Sequence, residues 1–175
     1  MGDRQPGKLV LVTGGARSGK SRFALDLARE AGGRLAFLAT ACPGDPEMEA
    51  RIARHRAERG DGWLLVEEPN DPAGALSTLG AEAVVLDCLT LWVSNRMRTR
   101  TDEEILEEDV PRLLGAAGRF QDLLVVVTNE VGLGVVPATP LGRRFRDIAG
   151  LVNQRFASEA EEVHVLWAGI PQRLK

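Results

Sequence analysis

The sequence predicts an α/β fold, a mostly parallel sheet with helices on both faces. Three observations lead there. Short runs such as Leu9–Val12, Ala83–Leu86 and Leu123–Val127 are apolar throughout, as strands covered on both faces are. Segments with apolar residues at helical spacing alternate with those runs along the chain. The first run ends in a glycine-rich turn that opens onto a helix, as in a βα unit.

At 175 residues and 18.9 kDa the chain is the length of one domain. Residues 1–7 read as a polar tail and residues 8–175 as a single catalytic domain. Lys8–Thr13 reads as a buried strand that stops at Gly14-Gly15. Lys20–Ala31 follows as a helix, with Phe23, Ala24, Leu27, Ala28 and Ala31 on one face and Gly32-Gly33 ending it. Leu35–Ala39 is a second strand, and a Pro/Gly loop leads to a charged helix over roughly Glu47–Arg59. Trp63–Val66 is a short strand. Asp71–Leu79 is a short helix capped by Asp71, with Pro72 at its first position. Ala83–Leu86 is a strand ending in Asp87. Leu89–Gly118 is mostly helical, with Thr101 and Glu104 forming a capping box at its second piece. Leu123–Val127 is a strand, Val131–Leu141 an irregular Gly/Pro-rich loop, Phe145–Ala160 an amphipathic helix, and Val163–Trp167 the last strand.

Composition excludes several classes. Hydrophobic residues make up 44% and charged residues 27%, which argues against disorder, collagen and coiled coil. No apolar run approaches the ~20 residues of a membrane helix, and the polar start lacks the apolar core of a secretory signal. Two cysteines, Cys42 and Cys88, are too few for a disulfide framework, and a cytoplasmic setting is expected. A net charge of -3 gives no electrostatic reason to expect nucleic acid or a membrane surface as partner.

The strongest motif is Gly14-Gly15-Ala16-Arg17-Ser18-Gly19-Lys20-Ser21, which fits G-x-x-x-x-G-K-[ST] at every position. Glycines let successive N–H groups face one anion, and the following helix adds its positive end. Lys20 neutralises charge on the β- and γ-phosphates, and Ser21 offers a hydroxyl to Mg²⁺. A chance glycine turn is the alternative; spacing, the Lys-Ser ending and the flanking elements all argue for a phosphate loop of a P-loop nucleoside triphosphatase fold. Asp87, at a strand end, is the candidate second ligand for Mg²⁺, or else a cap for the helix from Leu89. Cys88 reads as packing.

No N-K-x-D pattern is present to read guanine, since Asn129 is followed by Glu130-Val131-Gly132. In the segment Glu47–Arg59, His55 has Arg51 and Arg59 one turn away on either side. A solvated helix face explains this spacing. So does a histidine nucleophile kept neutral by guanidinium groups that also hold phosphate oxygens.

Four stretches then resemble a known family, the bifunctional adenosylcobinamide kinase/adenosylcobinamide-phosphate guanylyltransferases of cobalamin biosynthesis. They are TGGARSGKS (Thr13–Ser21), RIARHRAERGDGW (Arg51–Trp63) followed by Glu67, VLDCLTLWVSN (Val85–Asn95), and VTNEVGLGVVP (Val127–Pro137) with FRDIAGLVNQ (Phe145–Gln154). The resemblance implies two reactions. A nucleoside triphosphate, ATP or GTP, phosphorylates the aminopropanol hydroxyl of adenosylcobinamide. GTP then gives GMP to an enzyme histidine, and the phosphorylated corrinoid takes it up to form adenosylcobinamide-GDP. By the same resemblance His55 is the guanylylated residue, and Ala39, Thr40, Ala41, Glu58, Arg59, Gly60, Asp61, Glu67 and Asp87 lie where the family contacts GTP. His164 reads as structural. Asn129 and Glu130 sit at a strand's carboxyl end, where they either position water, metal or the corrinoid arm or cap the loop. Gly132–Pro140 is a candidate lid over the corrinoid, or a plain connection. A homo-oligomer, trimeric in the family, is implied. The competing readings are a kinase that lacks nucleotidyl transfer and a nucleotide-dependent switch.

Overall fold

The computed structural model describes residues 7–42, 44 and 59–175. Seven strands form one sheet: β1 (Lys8–Gly14), β2 (Leu35–Ala39), β3 (Trp63–Glu67), β4 (Ala83–Asp87), β5 (Leu123–Val127), β6 (Glu162–Trp167) and β7 (Ile170–Arg173), in the order β3-β2-β4-β5-β1-β6-β7. All neighbours pair in parallel except β6 and β7. The expected mostly parallel sheet is therefore present.

Successive strand residues point to opposite faces, and both faces are apolar. Leu9, Leu11, Leu38, Leu86, Leu124 and Val126 pack with Trp92, Leu113, Val152 and Phe156. Those partners come from α3 (Leu89–Arg96), α4 (Val110–Arg119) and α5 (Pro140–Glu159), beside the short α2 (Pro72–Thr78). Val10, Val12, Phe37, Val85, Val125 and Val127 pack with Ala24, Leu25 and Ala28 of α1 (Lys20–Ala31). This explains why the strands read as continuous apolar runs: neither face is wet.

Local signals place the ends. Asp71 caps α2, its carboxylate accepting the Gly74 N–H at 2.9 Å, and Pro72 opens the helix. Thr101 and Glu104 make the expected capping box. Between there and α4 the helix runs at π spacing over Ile105–Asp109, and the fully buried Ile105 faces the core. Pro111 offers no N–H to the carbonyl four residues back, so the ladder has a reason to shift there.

Two sequence expectations need correction. The helix expected from Phe145 begins at Pro140 and takes the end of the expected loop Val131–Leu141, because Thr139 caps it through the Gly142 N–H at 3.1 Å. Val131–Leu133 adds a 3₁₀ turn. The strand expected to be last turns back into β7, through Ala168 and Gly169 at φ 50° and 84°. A two-residue hairpin wants both central residues left-handed, and Pro171 is tolerated because β7 is an edge. The expected helix Glu47–Arg59 lies outside the described residues except at Arg59.

Glu162 ties β6 to β1. Lys8 Nζ lies 2.7 Å from one carboxylate oxygen, and His164 Nε2 3.1 Å from the other. The hydrogen bond from Lys8, and after it that from His164, holds the Glu162 carboxyl well below its usual 4.5, at about 2. The His164 ring also lies against Phe23, with centroids 5.2 Å apart and planes tilted by 59°. A depressed carboxylate pKa stabilises the fold fully above the unfolded value, and that contribution is lost as pH falls through the folded one. Glu162→Gln should therefore lower the melting temperature at neutral pH. The gap to the parent should narrow between about pH 4.5 and about pH 2 in pH-resolved thermal unfolding.

Candidate active site at the phosphate loop

Strand β1 delivers the chain to the loop. Gly14 has φ 145°, and a Cβ there would stand 2.6 Å from the Leu166 carbonyl oxygen, so no side chain fits. Arg17 and Gly19 are left-handed, at φ 55° and 93°. The curl turns the loop back onto α1, where Gly19 at the N-cap brings no side chain over the first amides. Amides at a helix start, with the positive end of its dipole, are of the kind that bind an anion. The β6–β7 hairpin braces the curl, with the Gly169 N–H donating to the Ser18 carbonyl at 3.0 Å.

Lys20 is buried at 6% exposure, and its ammonium lies 2.5 Å from the Gly15 carbonyl oxygen and 3.5 Å from Ser18 Oγ. It thus sits inside the loop it follows. Ala16 and Arg17 are exposed at the tip.

Ser21 Oγ donates to Asp87 Oδ2 at 2.8 Å. The alternative cap role of Asp87 is not used: Cys88 is the N-cap of α3, and no side chain caps that helix. Cys88 itself is buried packing at 3% exposure. A hydroxyl and a carboxylate converging beside a phosphate loop are hard oxygen donors of the kind Mg²⁺ takes alongside phosphate oxygens and waters.

The strand ends are level with one another. In the registers Val12 pairs Val127, Val127 pairs Asp87, and Ala39 pairs both Asp87 and Glu67. Ala39, Thr40 and Ala41 therefore leave β2 at the loop's edge of the sheet. Thr40 is fully buried, and its hydroxyl donates to the Cys88 carbonyl at 2.7 Å and accepts the Cys88 N–H at 2.8 Å. Glu67 ends β3 exposed, at the far side of the same edge. Arg59 is buried, with its guanidinium 4.1 Å over the Phe37 ring and its carbonyl accepting from Arg29 at 3.0 Å. Gly60 and Asp61 follow it at the surface, Gly60 at φ 69°. His55 and Glu58 lie outside the described residues.

A second polar cluster borders the loop. The Glu130 N–H donates to the Gly14 carbonyl at 3.1 Å, and its Oε1 accepts from Thr13 Oγ1 at 2.9 Å and Asn153 Nδ2 at 3.2 Å. Asn153 also accepts from Thr128 Oγ1 at 2.6 Å and donates to the Asn129 carbonyl. The Asn129 N–H reaches Thr90 Oγ1 at 2.9 Å. Of these, Thr13, Thr90, Thr128 and Asn153 escaped sequence reasoning. Asn153 carried a signal: it is a polar residue beside Val152 and one turn from Phe156 and Ala149 on the buried side of α5.

Sheet and loop together place the chain among P-loop nucleoside-triphosphate-binding proteins. It superposes on the RadB recombinase with a TM-score of 0.53 and 18% identity, covering 94% of this chain and 76% of that one. A KaiC-like protein from Pyrococcus horikoshii gives 0.53 and 17%, with 91% and 71% covered. An ATPase of a bacterial type III secretion system gives 0.57 and 13%, with 93% and 51% covered. At these identities the likeness is one of fold. The chain belongs to the cobinamide kinase / cobinamide phosphate guanyltransferase family, whose model matches residues 10–174. It is 44% identical to the bifunctional adenosylcobalamin biosynthesis protein CobP of Pseudomonas aeruginosa, over 94% of this chain and 96% of that one. It is 38% identical to the bifunctional adenosylcobalamin biosynthesis protein CobU of Escherichia coli, over 95% and 99%.

Thr40→Val separates a structural from a binding role at that position. It removes the buried hydroxyl that bonds both the Cys88 N–H and the Cys88 carbonyl, a loss of about 1–3 kcal/mol. Urea unfolding should show that loss, and a stability within about 0.5 kcal/mol of the parent would refute the structural role.

Proposed function

We propose that the chain runs two transfers from one nucleotide seat. In the first, a nucleoside triphosphate gives its γ-phosphoryl group to the aminopropanol hydroxyl of adenosylcobinamide. In the second, His55 attacks the α-phosphorus of GTP and pyrophosphate leaves. The corrinoid phosphate then displaces the histidine to give adenosylcobinamide-GDP. The observation that carries this reading is the Ser21–Asp87 pair set beside a phosphate loop, in a chain matched by the family model over residues 10–174.

Phosphoryl transfer is mostly positioning and charge neutralisation. The amides from Gly14 to Ser21 would grip the β- and γ-phosphates, with Lys20 swinging from the Gly15 carbonyl onto them. Ser21 and Asp87 would hold Mg²⁺, whose charge would offset that developing on the leaving phosphates. Ala39–Ala41, Glu58–Asp61 and Glu67 would meet the nucleoside, where a carboxylate can accept from guanine N1–H and N2–H₂ or from a ribose hydroxyl. For His55 the support is the R-I-x-x-H-[RK] match, since the residue lies outside the described ones. A covalent intermediate there divides one hard transfer into two easier steps.

A homo-oligomer, trimeric by the same resemblance, belongs to this reading. The exposed Leu133, Val135, Val136 and Ile170 are the kind of surface such an assembly covers. No described helix is long and apolar enough to cross a membrane, which fits a cytoplasmic enzyme.

Labelling with GTP radioactive at the α- or the γ-phosphate tests the reading. Acid-labile, alkali-stable label should enter the protein from the α position only. His55→Ala should lose that label and keep most of the kinase activity. Label persisting in His55→Ala would move the nucleophile elsewhere, and no label in the parent would leave a kinase alone. Lys20→Ala should lose both activities, since each needs the triphosphate seated.

A further inference from the structure

The kinase step sets a requirement that the nucleotide seat does not meet. An alcohol that attacks phosphorus must give up its proton, and the first acceptor has to stand beside the attacking oxygen. Four described carboxylates lie along the carboxyl edge of the sheet: Glu67, Glu68, Asp87 and Glu130. Glu68 sits beside Glu67 at the end of β3 and already accepts the Asn70 and Asp71 N–H groups. Glu67 ends β3, four strand spacings from β1, or about 19 Å. Asp87 accepts the Ser21 hydroxyl and fits the cation site. Glu130 follows β5, the strand between β1 and β4, so it stands between the loop and Asp87.

Its geometry is fixed from three directions. The backbone N–H is bonded to Gly14, the loop's first residue. Oε1 takes both side-chain hydrogen bonds, from Thr13 and Asn153. Thr13 and Asn153 are buried, and Asn153 is itself held by Thr128 and by the Asn129 carbonyl. Oε2 has no partner among the described residues, and the residue is partly exposed to the site edge. Anchoring the loop uses one oxygen. A second carboxylate oxygen, on a side chain tied to Thr13 and to the loop's first residue, is what a proton acceptor beside a seated γ-phosphate needs.

We infer that Glu130 is the general base of the phosphorylation step. This rests on the proposed function. The acceptor hydroxyl oxygen forms a bond to the γ-phosphorus, and the bond from that phosphorus to the β,γ-bridging oxygen breaks. The electron pair leaves with the nucleoside diphosphate, and the hydroxyl proton passes to Glu130 Oε2. Bulk water recovers the proton after the products leave.

Glu130→Gln is the discriminating variant, because the amide oxygen can still accept from Thr13 and Asn153 while the basic oxygen is gone. Phosphorylation of cobinamide by γ-labelled triphosphate should fall about 10²–10⁴-fold in kcat, the usual contribution of a general base. Nucleotide-induced thermal stabilisation should remain, which shows that the loop is intact. The acidic limb of the pH profile of kcat/KM should flatten. In Glu130→Ala, added formate should restore part of the rate, which a purely structural role would not allow. Active parent protein with Glu130→Gln within threefold of it, or with an unchanged acidic limb, overturns the assignment alone. A parent that phosphorylates no corrinoid hydroxyl sinks the proposed function and this assignment with it.

Discussion

The site exists because parallel strands of matched register finish at one level. Val12, Val127, Asp87, Ala39 and Glu67 form one row across five strands. The residues just beyond that row have to emerge along a single edge: the loop after β1, Thr128–Glu130 after β5, Cys88 after β4 and Thr40 after β2. The row is held by packing. A slip of one residue in any central strand would exchange its two faces, and would carry Leu86 or Val126 away from α3, α4 and α5 toward α1. Core packing thus sets the catalytic spacing, as expected of ligands at the carboxyl ends of open α/β sheets.

Ending strands together creates a difficulty, because the last backbone groups of each strand run out of ladder partners. Burial makes an unpaired group there costly. Side chains from the next elements supply the bonds: Thr40 for the Cys88 peptide, Thr90 for the Asn129 N–H and Asn153 for the Asn129 carbonyl. The edge is therefore stiff, which suits chemistry that depends on placement. The same economy explains Glu130, whose backbone N–H and one carboxylate oxygen serve the edge.

Legibility followed burial. Strands with two apolar faces and the helix after the loop could be read to the residue, as Leu35–Ala39, Leu123–Val127 and Lys20–Ala31 were. Strand β7 could not, because all four of its residues are exposed and no face pattern marks it. Only Gly169 hinted at a turn. The first turn of α5 was hidden because Leu141 points to solvent, although Thr139-Pro140 is a start signal in its own right. In the site, the loop follows from motif spacing, and Asp87 from its place at a strand end. The network through Thr13, Thr128 and Asn153 joins residues far apart in sequence, and spacing carries no information about such contacts.

The position of β2 bears on how one seat could serve two phosphorus atoms. The chain leaves β2 at Thr40 on the loop's edge and, after Gly44, is next described at Arg59, whose guanidinium packs on Phe37 on the α1 side of the sheet. The connection that carries His55 therefore starts at the active edge. Yet β2 stands three strands from β1, about 14 Å away. On the proposed reading, Lys20 and the amides at the start of α1 would hold the β- and γ-phosphates at the β1 end. The α-phosphorus would then lie at the end of the triphosphate directed away from the lysine. Glu130 follows β5, beside β1 and two strands nearer the loop than β2, where on the same reading the γ-phosphorus would lie. On that reading the base for the γ-transfer and the phosphorus attacked in the second transfer would stand at different ends of one bound triphosphate.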